Sequence, residues 1–246
     1  AKAQAPLLHT NDLVAAYLIP SDGMTNPTDT TQALAKGARN GGAKIVETVQ
    51  VMEILTEKGR AVGAVTDQGR IDAEVVVVCA GMWTRELCAP LGVDVPLHAA
   101  EHYYIVTRPM EGVVRNQPVI RDMDGYIYIK EEVGGLLLGG FEPNAKPWGM
   151  EGIPDGFEFQ ALPEDWDQFE VFMNTGLERI PALAEAEIRQ LFVGPESFTP
   201  DNRYILGEAP ELRKLYIAAG FNSIGIQSAG GAGKALAEWI VEDAPT

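Results

Sequence analysis

The sequence predicts a mixed α/β (α+β) fold in which a domain of buried strands and glycine-started helices is interrupted by an antiparallel one. Three observations carry this expectation. The β-branched run Val75–Val78 passes through Cys79-Ala80-Gly81 into a short helix over 83–88. That is the pattern of a strand buried on both faces, turning at a glycine into a helix. The pattern returns where LYIAAG (215–220) enters FNSIGIQSAGGAGKALAEWIVED (221–243). Between the two, residues 95–141 are rich in aromatic and β-branched residues broken by turn signals, as antiparallel strands are.

The elements follow in order. Residues 7–19 are apolar and are expected to hold a short helix and strand. SDGMTNPTD (21–29) is turn-rich, with Gly23 and Pro27 as punctuation. Thr28 or Asp29 is placed to cap the helix 31–42. Leu34, Ala35 and Ala38 share one face of that helix, and Gly41 and Gly42 stop it. A strand is expected over 44–57, then a hairpin of 61–68 with 70–74. Trp166, Phe169, Phe172 and Leu177 form a core stripe on a helix over 163–180, ended by Pro181. Residues 182–209 read as strand and turn. The interrupted domain is assigned 31–90 and 201–246, the interrupting one 1–30 and 91–200.

With 246 residues the chain supports one large or two small cores. Its 46% apolar and 22% charged content is that of a water-soluble globular protein. No apolar run approaches the roughly 20 residues that cross a bilayer. The net charge of −16 argues against nucleic acid and anionic membranes, which need clustered Lys and Arg. Cys79 and Cys88 make no disulfide scaffold and are expected as buried thiols. His9, His98 and His102 are the histidines and show no metal-ligand spacing, so no metal is expected. The first residue is not Met, and AKAQAPLLHT carries no targeting pattern. The expectation is a piece of a longer chain, cytoplasmic, or in the mitochondrial matrix if the source is eukaryotic.

The strongest local signal is the strand-to-helix junction with Gly220, Gly225, Gly230, Gly231 and Gly233. Glycine there lets backbone approach a planar or anionic ligand, and the helix start presents free N–H groups. Tight strand–helix packing accounts for the same glycines.

GFNSIGIQSAGGAGKALAEWI resembles the C-terminal flavin segment of the D-amino-acid-oxidase-like flavoproteins. Within them it is most similar to the dimethylglycine and sarcosine dehydrogenases. IPSDGMTNPTDTTQALAKGARNGGAKI (19–45), VVVVCAGMWTREL (75–87) and VPLHAAEHYYIV (95–106) agree, in the same order, so the resemblance covers nearly the whole chain. It implies FAD and an incomplete FAD-binding Rossmann-like domain interrupted by a substrate domain. The strand, GxGxxG turn and helix that hold the pyrophosphate in such enzymes have no counterpart before residue 44. The histidine to which many relatives attach FAD belongs to that part too. This chain alone is therefore expected to bind FAD weakly or not at all. Many relatives also carry a C-terminal folate-binding domain, so folate would come only through a domain absent from this chain.

The resemblance places Val51 where backbone contacts the adenine, and Ala80 and Gly81 at the turn near the ADP half. It places Asn222, Ser223, Ile224, Gly225, Ile226 and Gln227 against the flavin's pyrimidine edge, where the helix start stabilises charge on the reduced ring. Cys79 and Met82 depart from the commoner Ala and Gly. His102 and Tyr128 match a His and Tyr that face the flavin in dimethylglycine-oxidising relatives. An amine must be neutral to give up a hydride, so a base tuned near neutral pH suits that place. A core or surface histidine and plain sheet aromatics are the alternatives. His98 shares a strand face with His102, and Tyr103, Tyr104 and Tyr126 compete with Tyr128. Arg203, in TPDNRYILG, is the candidate for a substrate carboxylate, with a structural salt bridge as the alternative.

The implied activity is oxidation of an N-methyl group of dimethylglycine or sarcosine, acting on CH–NH bonds in one-carbon metabolism. The electron acceptor would be oxygen or an electron-transfer flavoprotein. Another amine or amino-acid oxidase of the superfamily, or a regulatory subunit such as that of the pyruvate dehydrogenase phosphatase, is the alternative.

Overall fold

A computed structural model of the protein describes residues 1–244. In chain order the elements begin with α1 (Pro27–Asn40), β1 (Val51–Glu57), β2 (Arg60–Thr66), β3 (Gly69–Asp72), β4 (Val76–Val78) and α2 (Thr84–Cys88). There follow β5 (His98–Thr107), β6 (Ile120–Asp122), β7 (Ile127–Glu132), β8 (Gly135–Gly140), β9 (Pro147–Trp148) and α3 (Trp166–Arg179). The chain ends through β10 (Ile188–Phe198), β11 (Ile205–Glu208), β12 (Leu215–Ala219) and α4 (Gly225–Glu242). It divides into two compact units. The first holds Ala1–Thr25, Glu101–Pro147 and Glu158–Pro195. The second holds Asn26–Ala100, Trp148–Phe157 and the chain from Glu196 onward. The sequence grouping differs at its edges: 26–30, 91–100, 148–157 and 196–200 lie with the second unit.

The first unit is built on a six-stranded sheet of order β10-β5-β8-β7-β6, with β9 beside β5. Alternation along the strands sends Tyr103, Ile105, Ile127, Ile129 and Leu138 to one face, against Phe169 and Phe172 of α3. Fully burying each such side chain stabilises by roughly 1.5–3 kcal/mol. The Asp165 carboxylate caps α3 by accepting from the Gln168 N–H at 3.0 Å. Trp166 departs from the expected core stripe: it is 45% exposed, and its indole N–H donates to Glu164.

The expected helix and strand over 7–19 are absent. Leu8 enters the core, and the backbone of residue 9 bonds α3 rather than its own neighbours: the His9 N–H donates to the Arg179 carbonyl at 2.7 Å. The Arg179 guanidinium completes the clamp. It donates to the His9 carbonyl, to both Asp12 carboxylate oxygens and to Asp122, at 2.8–3.1 Å.

The second unit carries the antiparallel sheet β1-β2-β3 and the sheet β11-β12-β4, in which β12 runs parallel to β4. Its core gathers Ile54, Val78, Cys88, Val95, Leu97, Leu215 and Ile217. The hairpin of β2 and β3 pairs Thr66 with Gly69. Asn26, not Thr28 or Asp29, caps α1: its side chain accepts from the Asp29 N–H, and Pro27 takes the first helical position. The strand expected over 44–57 begins only at Val51, because Thr48 adopts a left-handed conformation (φ 57°) that breaks the extension. β4 is an edge strand, and its outward residue Val77 is 41% exposed, so the run is buried on one face rather than two. Cys79 alternates outward with it and is exposed, while Cys88 is buried as expected. Among the described residues no helix is long and apolar enough to cross a membrane.

Candidate functional site

In the first unit the sheet face opposite the core carries the candidate side chains. Register fixes which they are. Tyr104 pairs with Gly139, Gly139 with Tyr128, and Tyr128 with Arg121, so one row crosses β5, β8, β7 and β6. His102 lies two residues before Tyr104 and Phe141 two after Gly139, on the same face by alternation. His102 Nε2 and the Tyr128 hydroxyl are 3.0 Å apart, although 26 positions separate them in the chain. Phe141 packs on both rings, with centroids 4.9 Å from His102 and 5.9 Å from Tyr128. No sequence motif marks Phe141 or Gly139. A Cβ on Gly139 would stand 2.5 Å from the Tyr128 hydroxyl and 2.6 Å from its Cζ. The missing side chain is therefore the space through which the phenol crosses β8 to reach His102.

Burial among these rings pushes the His102 pKa down to about 4. A base or acceptor tuned near neutral pH, expected from the chemistry of a neutral amine, is not what the fold alone provides. His102 is a neutral imidazole at pH 7, sharing one proton position with the tyrosine hydroxyl. The competitors separate. Tyr103 faces the core and donates to Glu101. Tyr104 stacks on Phe192 at 4.9 Å. Tyr126 sits in a left-handed turn (φ 58°), and His98 lies in the second unit against Met150 Sδ. Arg121, also unmarked by the sequence, places its guanidinium carbon 5.5 Å from the Phe141 ring centre.

In the second unit β12 and β4 run parallel with Ile217 level with Val78, so Ala80-Gly81 and the turn from Gly220 leave the sheet at the same strand ends. Strand carboxyl ends are where open α/β sheets receive ligands. Gly81 takes φ 56° and Gly220 φ 67°. Asn222 and Ser223 are successive non-glycine residues in the left-handed region, at φ 50° and 65°. Side-chain bonds hold that strained turn. Asn222 accepts from the Thr199 N–H at 2.8 Å and donates to the Gly220 carbonyl at 2.7 Å. The Ser223 hydroxyl donates to Glu196, whose carboxyl burial pushes up while that bond opposes it.

The turn delivers Ile224 as a cap without a side-chain bond, so the first N–H groups of α4, from Gly225, Ile226 and Gln227, have no intrahelical acceptor. They stand at the positive end of the helix dipole. A Cβ on Gly230, Gly231 or Gly233 would meet nothing within 4 Å, so tight strand–helix packing does not explain these glycines. Val51 is separate from this turn: it opens β1 in the other sheet and is 44% exposed. Arg203 is exposed. Its backbone bonds Asp201 and Thr199, and its side chain makes no ion pair among the described residues. Among those residues no group of three His, Cys, Asp or Glu is arranged to hold a metal.

The model of the family described as FAD dependent oxidoreductase (DAO) matches residues 1–239. The chain belongs to that family. It is 44% identical over 246 residues to the mitochondrial pyruvate dehydrogenase phosphatase regulatory subunit of Mus musculus, covering 98% of this chain and 28% of that protein. It is 42% identical to 4-methylaminobutanoate oxidase (formaldehyde-forming) of Paenarthrobacter nicotinovorans, covering 98% and 29%. With the mitochondrial sarcosine dehydrogenase of Mus musculus the identity is 38%, covering 99% and 27%. The chain thus spans little more than a quarter of the length of these relatives. Among solved structures, L-proline dehydrogenase from P. horikoshii superposes with TM-score 0.85 at 26% identity, over all of this chain and 63% of that one. The family's cofactor is FAD. The second unit fits part of it: uncapped N–H donors at the start of α4, and glycines whose missing side chains leave room for a flat ring system.

Proposed function

We propose that the protein carrying this chain oxidises an N-methyl group of a small amino acid, dimethylglycine or sarcosine. The observation that carries the reading is the contact between His102 and Tyr128, with Phe141 closing over both. FAD, when bound, supplies a two-electron acceptor for the hydride lost from the substrate carbon. The chain's own residues do the rest. Neutral His102 and the Tyr128 hydroxyl, buried where charge is disfavoured, would hydrogen-bond the substrate amine in its neutral form, its ammonium proton having passed to solvent. Phe141 excludes water from the pair. The N–H groups of Gly225, Ile226 and Gln227, with the turn at Asn222 and Ser223, hold negative charge at the cofactor's edge. Ala80 and Gly81 would lie by its ADP half, and the backbone of Val51 by the adenine. In this reading the first unit binds substrate and the second binds FAD. Electrons leave to oxygen or an electron-transfer flavoprotein. The setting is the cytoplasm, or the mitochondrial matrix in a eukaryote, where the mitochondrial regulatory subunit and sarcosine dehydrogenase of Mus musculus are the supporting relatives.

The 44% identity to a phosphatase regulatory subunit favours a second reading, a flavoprotein that regulates rather than oxidises. Anaerobic addition of dimethylglycine or sarcosine to the full-length protein separates the two. Bleaching of the flavin's visible absorption, lost in His102→Ala, is the outcome expected. A flavin that no N-methylated or primary amine bleaches supports the regulatory reading instead.

A further inference from the structure

We propose that Arg121 is the group in this site that binds the substrate's carboxylate, and so selects amino acids over plain amines. The inference rests on the oxidase reading above and adds a residue to it. Strand register sets Arg121 directly opposite Tyr128, so both side chains leave the sheet on one face. Its guanidinium lies over Phe141, the ring that also packs on His102 and Tyr128. A guanidinium drawn to an aromatic face by the ring's quadrupole keeps N–H donors free for a carboxylate, which it can receive bidentately.

The charge census sharpens the point. The chain has 35 acidic side chains to 19 basic ones, so partners for a cation are plentiful. Four of the unit's eight Lys and Arg have taken them, Arg108 with Glu187 among them. Lys130, two residues along from Tyr128, pairs with Glu132 at 2.9 Å. Lys146 pairs with Asp165 and Glu101. Arg179 is held by Asp12 and Asp122. Arg121 is exposed and, like Lys2, Arg115 and Arg189, makes no ion pair among the described residues; of these four it is the one that strand register sets beside Tyr128. A glycine derivative separates carboxylate from amine by one carbon. That short span suits a site in which the cation and the His–Tyr pair share one aromatic ring.

The test uses the full-length holoprotein and two readouts. Calorimetry measures binding of methoxyacetate, a carboxylate with no amine to oxidise. Anaerobic flavin reduction compares dimethylglycine with N,N-dimethylethylamine, which lacks the carboxylate. In Arg121→Met, methoxyacetate binding and the half-saturating dimethylglycine concentration should each worsen about tenfold or more, a loss of about 1.4 kcal/mol per decade. The limiting reduction rate and the response to dimethylethylamine should hold, and Arg121→Lys should fall between. Wild-type affinity in Arg121→Met overturns the proposal. So does a wild-type protein that binds no methoxyacetate, or a loss that appears in Arg203→Met instead. If no amine reduces the wild-type flavin, the oxidase reading fails, and the methoxyacetate arm alone still decides Arg121.

Discussion

In the first unit the candidate groups are side chains that meet because four strands pair in one register. In the second they are mainly backbone groups presented by a turn of unusual conformation. His102 and Tyr128 are 26 residues apart and touch only when β5, β8 and β7 are aligned. The turn at Gly220–Gln227 is contiguous in sequence, and its geometry follows from residues that tolerate or stabilise positive φ. A side-chain constellation depends on what is absent between its members. A backbone constellation depends on what braces it. The two should break in different ways.

Gly139→Ala should have the largest effect. Its new methyl would also stand 2.9 Å from the Tyr103 carbonyl, so backbone as well as side chain must move. Overpacking of this kind costs about 1–3 kcal/mol. Urea unfolding should show that loss, and the His102 titration followed by NMR should move back up as the phenol is displaced. An unchanged titration would mean that the crossing at Gly139 does not hold the pair.

Asn222→Ala should follow, at about 1–2 kcal/mol, because it leaves the Thr199 N–H without its acceptor and puts alanine at φ 50°. Asn222→Gly restores the conformation but not the bonds, so recovery of only part of the loss would confirm the brace.

The units should also titrate in opposite senses. The folded pKa of His102, about 4, lies below the usual 6.5, so its neutral form favours the fold. Its contribution is complete above about pH 6.5 and is lost as pH falls toward 4. Glu196 is shifted upward. Its contribution is complete below the ordinary carboxylate range and is lost as pH rises through its folded value. Urea midpoints against pH for His102→Gln and Glu196→Gln should flatten opposite limbs of the profile.

The smallest change should be a gain. Gly230→Ala places a methyl where nothing lies within 4 Å, so helix propensity alone should stabilise the chain by about 0.5–1 kcal/mol in thermal unfolding. A loss there would reveal a contact made by those backbone atoms.

What could be read from the sequence follows the same division. The strand-to-helix turns at Gly81 and Gly220 were legible because glycine, Asn and Ser report backbone conformation locally. The strands of residues 95–141 were legible from alternation. Arg121, Gly139 and Phe141 were not, because only register makes them neighbours of His102 and Tyr128. The strand start at Val51 was missed because no residue type announces Thr48 in a left-handed conformation. The cap at Asn26 was missed because two later residues offered the same chemistry. Burial was overestimated for Val77, Cys79 and Trp166, since an apolar pattern does not say which face of a strand or which end of a helix the fold leaves uncovered.

The Arg179 clamp bears on the order of assembly. It joins residues 9 and 12 to residue 179, and Asp122 on the way. At synthesis rates of about 5–20 residues per second, residue 12 waits on the order of 10–30 s for its partner to be made. Over that interval the whole first half of the second unit is synthesised. The second unit is completed later still, because β11, β12 and α4 follow residue 196, and until α3 emerges the first unit's earliest segment has to be kept from pairing elsewhere.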